Sequence, residues 1–199
     1  MSQNINGIDY IESLYSQYNL FSVSVNGRKS YEKEMDRQLV YGEVKLHEID
    51  SILKELSLSK DTHFIDCGSG AGKITLYTHY LNIFRQCTGI ELVSTLHSLA
   101  EEVKGTYLSK IGREDQLQFL HSDFFDISYD AQCCVYINST CFNADTCDRL
   151  LNKFVHLDKG SVIISTKRFN HHHKFKYLYC RKNVQASWGD TCLHIMQKQ

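Results

Sequence analysis

The chain contains no proline, which removes every motif built on that residue. It also lacks any uncharged apolar run of the roughly 18 residues needed to cross a bilayer. Its first residues, Met1-Ser2-Gln3-Asn4, do not follow the basic-then-apolar order of a secretory leader. An intracellular, cytoplasmic protein with no transmembrane segment is therefore expected. Eight cysteines are spread irregularly, Cys133 and Cys134 are adjacent, and no Cys-x-x-Cys pair occurs. Reduced thiols suit this pattern better than a disulfide framework. The run His171-His172-His173 is a poor metal site, because three consecutive imidazoles on a strand cannot all face one ion. No metal is expected. Acidic residues are missing between Lys167 and Gly189. Residues 167–199 carry seven Lys/Arg against one acid, net +6, while 1–166 carry 15 against 22, net −7. Such a basic tail suits either an acidic partner or a solvated hairpin face.

What remains is an ordinary globular composition of 199 residues, 42% hydrophobic and 23% charged, enough for one domain with a full core. Ile8, Ile11, Leu14 and Tyr15 suggest one short amphipathic helix within 1–28. Helices are expected over 30–38 and 44–56, the latter placing Leu46, Ile49, Ile52, Leu53 and Leu56 along one face. From there strands and helices alternate: strand 62–66, helix 71–82, strand 87–91, helix 93–110, strand 117–121, strand 132–137, helix 144–155 and strand 161–166. Two further strands, 175–184 and 190–197, are joined around Ala186 and Gly189. The pattern predicts an α/β fold, a mostly parallel sheet with helices on both faces and an antiparallel C-terminal hairpin. Residues 1–60 form a helical lid and pre-core segment, and 61–199 the core.

The strand-to-helix turn Asp66-Cys67-Gly68-Ser69-Gly70-Ala71-Gly72-Lys73 invites three nucleotide-binding readings. A phosphate loop requires Gly-x-x-x-x-Gly-Lys-[Ser/Thr], but Cys67 takes the first glycine's place and Ile74 that of the hydroxyl. The dinucleotide pattern Gly-x-Gly-x-x-Gly begins at Gly68 and Gly70 and then lands on Lys73. Asp-x-Gly-x-Gly-x-Gly, with Gly89-Ile90-Glu91 one helix later, is the arrangement of a methyltransferase that binds S-adenosylmethionine and releases S-adenosylhomocysteine. Gly68, Gly70 and Gly72 let the backbone turn and approach a ligand. Asp66 can anchor the loop or accept from the ligand's ammonium. Lys73 reads as a solvated helix residue.

Glu91 ends the second strand, where an acid can accept both ribose hydroxyls; its alternative role is to cap the next helix. Asp123, after the third strand, can accept from an adenine amino group, and Phe124 can stack on the ring. Phe124 and Phe125 are not both expected there; one belongs to the core. Asn138 ends the fourth strand, where ligands collect in such sheets, and can orient an incoming amine toward the methylsulfonium; as a bland alternative it is a turn former. Cys141 lines the pocket or the core. Trp188 walls a substrate entrance or closes the core's edge.

At these residues the chain resembles the Dot1-like protein-lysine methyltransferases, a non-SET family with the seven-stranded, Rossmann-like class I methyltransferase fold. Tyr41-Gly42-Glu43 is similar to the family's pre-core Tyr-Gly-Glu, which implies that Glu43 reaches toward the cofactor's methionine part. The stretch from Phe64 to Gly72, including Ser69, resembles its glycine loop, and Ser122-Asp123-Phe124 its Gly-Asp-Phe. Ile137-Asn138-Ser139-Thr140-Cys141-Phe142 is similar to Val-Asn-Asn-Phe-x-Phe. The resemblance implies Asn138 at the methyl-transfer site and Phe142 in a lysine channel, with Cys141, Trp188 and Cys192 as further channel residues. Where nucleosomal members carry adjacent tyrosines, Thr191-Cys192 stand here, and no long basic extension is present. A non-histone protein presenting a lysine is therefore the expected substrate. A nucleic-acid or small-molecule amine is the alternative acceptor. It is disfavoured because Asn138-Ser139-Thr140-Cys141 lacks the prolines of Asn/Asp-Pro-Pro-Tyr/Phe and the basic tail offers only Phe175, Tyr177 and Tyr179 for stacking. A non-catalytic cofactor-binding protein is the third reading. Nothing in the pattern specifies an oligomeric state.

Overall fold

The computed structural model describes residues 6–129 and 131–199; Met1 to Asn4, read above for a leader, lie outside them. Seven strands form one sheet in the order β3-β2-β1-β4-β5-β7-β6. They are β1 (His63–Cys67), β2 (Gln86–Glu91), β3 (Leu117–His121), β4 (Cys133–Ile137), β5 (Val162–Ser165), β6 (Phe175–Ala186) and β7 (Gly189–Lys198). The first five run parallel; β7 is antiparallel to β5 and to β6. This is the Rossmann-like class I methyltransferase topology expected above, hairpin included. β1 and β4 are short runs buried on both faces, which makes them central parallel strands. The three histidines fall in the connection before β6 rather than on a strand, with the His172 and His173 rings stacked 4.6 Å apart.

Among the described residues seven α-helices surround the sheet: α1 (Gly7–Tyr15), α2 (Leu20–Arg28), α3 (Lys33–Gln38), α4 (Leu46–Glu55), α5 (Lys73–Leu81), α6 (Ser94–Ile111) and α7 (Ala144–Phe154). The single helix expected within 1–28 is two. Asn6 caps α1 by accepting from the Ile8 amide, and Asn19 starts α2 by accepting from the Ser22 amide. Each such cap contributes about 1 kcal/mol. On one sheet face α1, α4, α5 and α6 pack around Phe64, Tyr136 and Ile164. On the other, α7 places Cys147, Leu150, Leu151 and Phe154 at helical spacing against Ile65, Val135 and Ile163. Residues from within 1–60, including Ile11, Leu46 and Ile52, are fully buried in the first of these cores.

The segment before α4 is stitched to the hairpin tip. Lys45 N donates to Gln185 O at 3.0 Å and Ser187 N to Glu43 O at 2.8 Å. Val44 bridges Ala186. These bonds fix residues 42–45 above the carboxyl ends of the central strands.

Candidate functional site

Strand order reverses between β1 and β4, and ligands of such sheets bind outside the carboxyl ends at that point. A cleft of ≈ 290 Å³ lies there, roofed by Met35, Leu39, Val40 and Tyr41. Met35 and Val40 are exposed. Gln38 closes the roof onto α7, its Oε1 accepting from Thr146 Oγ1 at 2.7 Å.

The floor is the turn after β1. Gly68, Gly70 and Gly72 all have positive φ, +81°, +56° and +85°. A methyl group on Gly70 would meet the Tyr41 ring at 2.5 Å, while one on Gly68 would enter open space. Gly70 thus admits the roof, and Gly68 leaves room for a ligand. Gly72 is different: it does not line the cleft, and its α-carbon faces Phe119 and Ala100. It is a packing glycine under α5. The loop's amides are largely used internally. Gly68 N and Ser69 N both donate to Ile90 O at 2.9 Å, Gly70 N to Glu91 Oε2 at 2.7 Å, and Gly72 N to Ser69 O at 2.9 Å. A phosphate would find few free donors here, which agrees with rejecting the phosphate-loop reading.

Asp66 is buried on the floor, one oxygen accepting from Thr75 Oγ1 at 2.9 Å. Burial pushes its pKa up to about 7 against that hydrogen bond, with Glu91 and Glu43 adding to the rise. Glu91 is also buried, and Val93 N donates to its second oxygen at 2.7 Å. Burial raises its pKa, opposed by the backbone amides. Each Glu91 oxygen retains acceptor capacity for a ligand diol while already holding the loop and the start of α6.

Asp123 lines the cleft, its Oδ1 accepting from Phe125 N at 2.8 Å. The Phe124 ring lies 5.7 Å from Phe142 and 5.0 Å from Phe125. Phe125 also lines the cleft, under the Arg149 guanidinium at 4.1 Å. Both rings are half-buried, pack against the second core and line the cleft, so neither is a fully buried core residue.

At the end of β4 the Asn138 amide is fixed from every side. Nδ2 donates to Gly42 O at 2.9 Å, and Oδ1 accepts from Thr140 Oγ1 at 2.8 Å, Thr166 Oγ1 at 3.1 Å and Thr140 N at 3.3 Å. One N–H of the amide remains for a ligand. Phe142 is buried beside it, its carbonyl accepting from Lys167 Nζ at 2.6 Å.

Lys73 is not a solvated helix residue. Its ammonium reaches back to Glu43 at 2.7 Å and Glu12 at 3.1 Å, lying 5.2 Å from the Tyr15 ring centroid. Burial opposes the charge, but the two carboxylates outweigh it and raise the pKa above the ordinary lysine value. Glu43 also accepts from Tyr41 Oη at 2.5 Å, and Tyr15 Oη donates to Ala71 O at 2.8 Å. The N-terminal helix thus holds both the glycine loop and the ion pair. Three expected channel residues stand outside the cleft. Trp188 packs on Gly42, where a methyl group would meet its ring at 2.5 Å. Cys141 is exposed, and Cys192 sits half-buried on β7.

Two buried hydroxyls lining the cleft, Ser69 Oγ and Tyr136 Oη, have no hydrogen-bond partner among the described residues. Each costs roughly 1–3 kcal/mol unless a ligand satisfies it. With an acid under the loop, another at the end of β2, and an acid-aromatic pair after β3, the lining fits S-adenosylmethionine. Asp66 suits its ammonium, Glu91 its ribose diol, and Asp123 with Phe124 its adenine. Sequence reasoning named Tyr41 of the roof but missed Met35, Leu39 and Val40 beside it, and also Tyr136, Leu92 and Leu96; only the strand-end position of Tyr136 hinted at a ligand.

A family model described as "Histone methylation protein DOT1" matches residues 18–187. Among curated proteins, a histone-lysine N-methyltransferase, H3 lysine-79 specific, from Chaetomium globosum is 30% identical over 155 residues, covering 72% of this chain and 29% of its own length. The Emericella nidulans protein of the same name is 27% identical over 174 residues, 81% and 34%. That of Drosophila melanogaster is 27% identical over 138 residues, 65% and 8%. The chain therefore spans about a third or less of these relatives. Among solved structures, a putative RNA methyltransferase from Pyrococcus horikoshii superposes with a TM-score of 0.60 at 12% identity, covering 91% of this chain and 98% of its own. The magnesium protoporphyrin IX methyltransferase of Synechocystis, solved with bound S-adenosylmethionine, gives 0.58 at 9% identity over the full length of both. At these identities the superpositions establish the fold alone.

Proposed function

The chain belongs to the DOT1 histone-methylation family, and from that premise we propose that it transfers a methyl group from S-adenosylmethionine to the side-chain amine of a protein lysine. The observation that carries the reading is the convergence of Asp66, Glu91, Asp123 and Asn138, each at or just beyond the end of one of four adjacent parallel strands, on a single cleft. When bound, S-adenosylmethionine supplies a methyl group already activated by its sulfonium charge. The protein's share is then alignment and a neutral nucleophile.

Asp66, Glu91 and Asp123 hold the donor at three points, and Tyr41 covers it. Asn138 sets the position of the acceptor: its carbonyl is locked by Thr140 and Thr166 and its nitrogen is tied to Gly42, so the amide is held in one orientation. Phe142 supplies an apolar wall that strips water from the lysine and favours its uncharged amine. No side chain here is needed as a strong base.

The curated relatives are named for lysine 79 of histone H3 and lend no support to a non-histone substrate or a cytoplasmic location. A histone lysine is therefore the first acceptor to test. Among the described residues no helix is long and apolar enough to cross a membrane.

The test is transfer of labelled methyl from S-adenosylmethionine into fractionated cell lysate, with protease and nuclease controls. Label lost to protease and kept through nuclease supports the reading. Label lost to nuclease alone overturns the lysine assignment.

A further inference from the structure

β4 sends Tyr136 to the sheet face packed by the α1, α4 and α5 side chains, level with Asp66 on β1 and Ile164 on β5. A phenylalanine would complete that apolar layer, yet the chain carries a hydroxyl. The residue is 3% exposed, lines the cleft, and its Oη has no partner among the described residues. Burial, then the charges of Asp66 and Glu43, hold the phenol pKa well above 10. The group is thus a neutral hydroxyl, with one proton to give and acceptor capacity unused.

Its surroundings decide what it receives. The carboxyl groups acting on it are those of Asp66 first and Glu43 second. Lys73 is committed to Glu43 and Glu12. A ligand carboxylate at this point would meet two protein carboxylates, whereas a ligand ammonium would meet oxygen acceptors only. One Asp66 oxygen is held by Thr75, leaving the other for the cleft.

Resting on the methyltransferase reading, we infer that Tyr136 is a further cofactor-binding residue. Its hydroxyl accepts a hydrogen bond from the α-ammonium of S-adenosylmethionine and shares that group with Asp66. Tyr136 thereby makes the site selective for a ligand that keeps its amino group.

The experiment is calorimetry of wild type and Tyr136→Phe with S-adenosylhomocysteine, its deamino analogue and its decarboxy analogue. The variant is expected to bind S-adenosylhomocysteine about tenfold more weakly, as for loss of a hydrogen bond to a charged group. It should bind the deamino analogue as wild type does. Ligand-free Tyr136→Phe should melt no lower than wild type, since it loses only an unpaired hydroxyl. An equal penalty with all three ligands, or a lower melting temperature, would make the role structural and overturn the inference. A penalty that vanishes only for the decarboxy analogue would move the contact to the carboxylate and overturn it too. No penalty at all has the same consequence. A wild type that binds none of the three overturns the methyltransferase reading, and this inference with it.

Discussion

Asn138 donates its side-chain amide to the Gly42 carbonyl at 2.9 Å, and Gly42 is backed by the Trp188 ring, which leaves no room for a Cβ. The bond links the end of β4 to a segment 96 residues earlier in the chain and, through Trp188, to the hairpin tip. Position at the proposed transfer site therefore depends on three separate parts of the sequence. Asn138→Ala should lower kcat about 100-fold, the cost of a misplaced reacting group, with S-adenosylhomocysteine affinity nearly unchanged. Thr166→Val, which removes one donor to Asn138 Oδ1, should give a smaller loss of kcat in the same direction. Steady-state kinetics beside calorimetry separates the two quantities; equal loss of binding and turnover would deny Asn138 a role specific to transfer.

Glu91 holds the Gly70 and Val93 amides with its two oxygens. Glu91→Gln puts an NH2 group against one of those donors, so loop order and ligand contact suffer together. The expected result is S-adenosylhomocysteine binding weaker by about tenfold or more and a lower melting temperature. Calorimetry and thermal melts check both, and wild-type affinity in the variant would remove Glu91 from the ligand site.

Lys73 bridges Glu12 of α1 and Glu43 of the roof. Lys73→Met leaves both carboxylates unpaired. Glu43 is the more buried of the two and should account for most of a loss of about 1–3 kcal/mol, discounted for the exposure of Glu12. Adding Glu43→Gln should restore part of it, since the double variant no longer buries a lone charge. Denaturant unfolding measures this; additive losses would mean that the ion pair does not couple α1 to the roof.

The Asp66 carboxyl carries a pKa of about 7 in the folded chain against an ordinary value near 4. Below that ordinary value it is protonated in both folded and unfolded states and contributes nothing. As pH rises through about 4 to 7 the unfolded state ionises first, so this group makes ligand-free protein progressively less stable. A bound ammonium favours the carboxylate, so S-adenosylhomocysteine affinity should fall as pH drops below 7, with a proton released on binding. Asp66→Asn should flatten both profiles. Calorimetry in buffers of different ionisation enthalpy reads the proton directly, and no buffer dependence near pH 6 would contradict the assignment.

The sheet and the loop were legible because their signals are local. β1 and β4 are short, largely apolar runs, and three glycines at fixed spacing leave few ways to turn. α2 was not legible: Val23, Val25 and Gly27 argue against a helix. It is held by the Asn19 cap and by the pairing of Arg28 with Asp36 at 2.6 Å. The Lys73 partners lie 61 and 30 residues away, which no periodicity reveals. Trp188 misled because its site is decided by a missing Cβ on Gly42. Tyr136 was missed because its ring belongs to the core, and only the unpaired hydroxyl at its tip departs from that.

The most direct measurement is mass spectrometry of purified core histones and nucleosomes after incubation with S-adenosylmethionine and the protein, with Asn138→Ala and Glu91→Gln as controls. The account predicts methylated lysine with wild type and a sharp loss with both variants. A protein that binds S-adenosylhomocysteine yet methylates no lysine in histones or any lysate protein would contradict it.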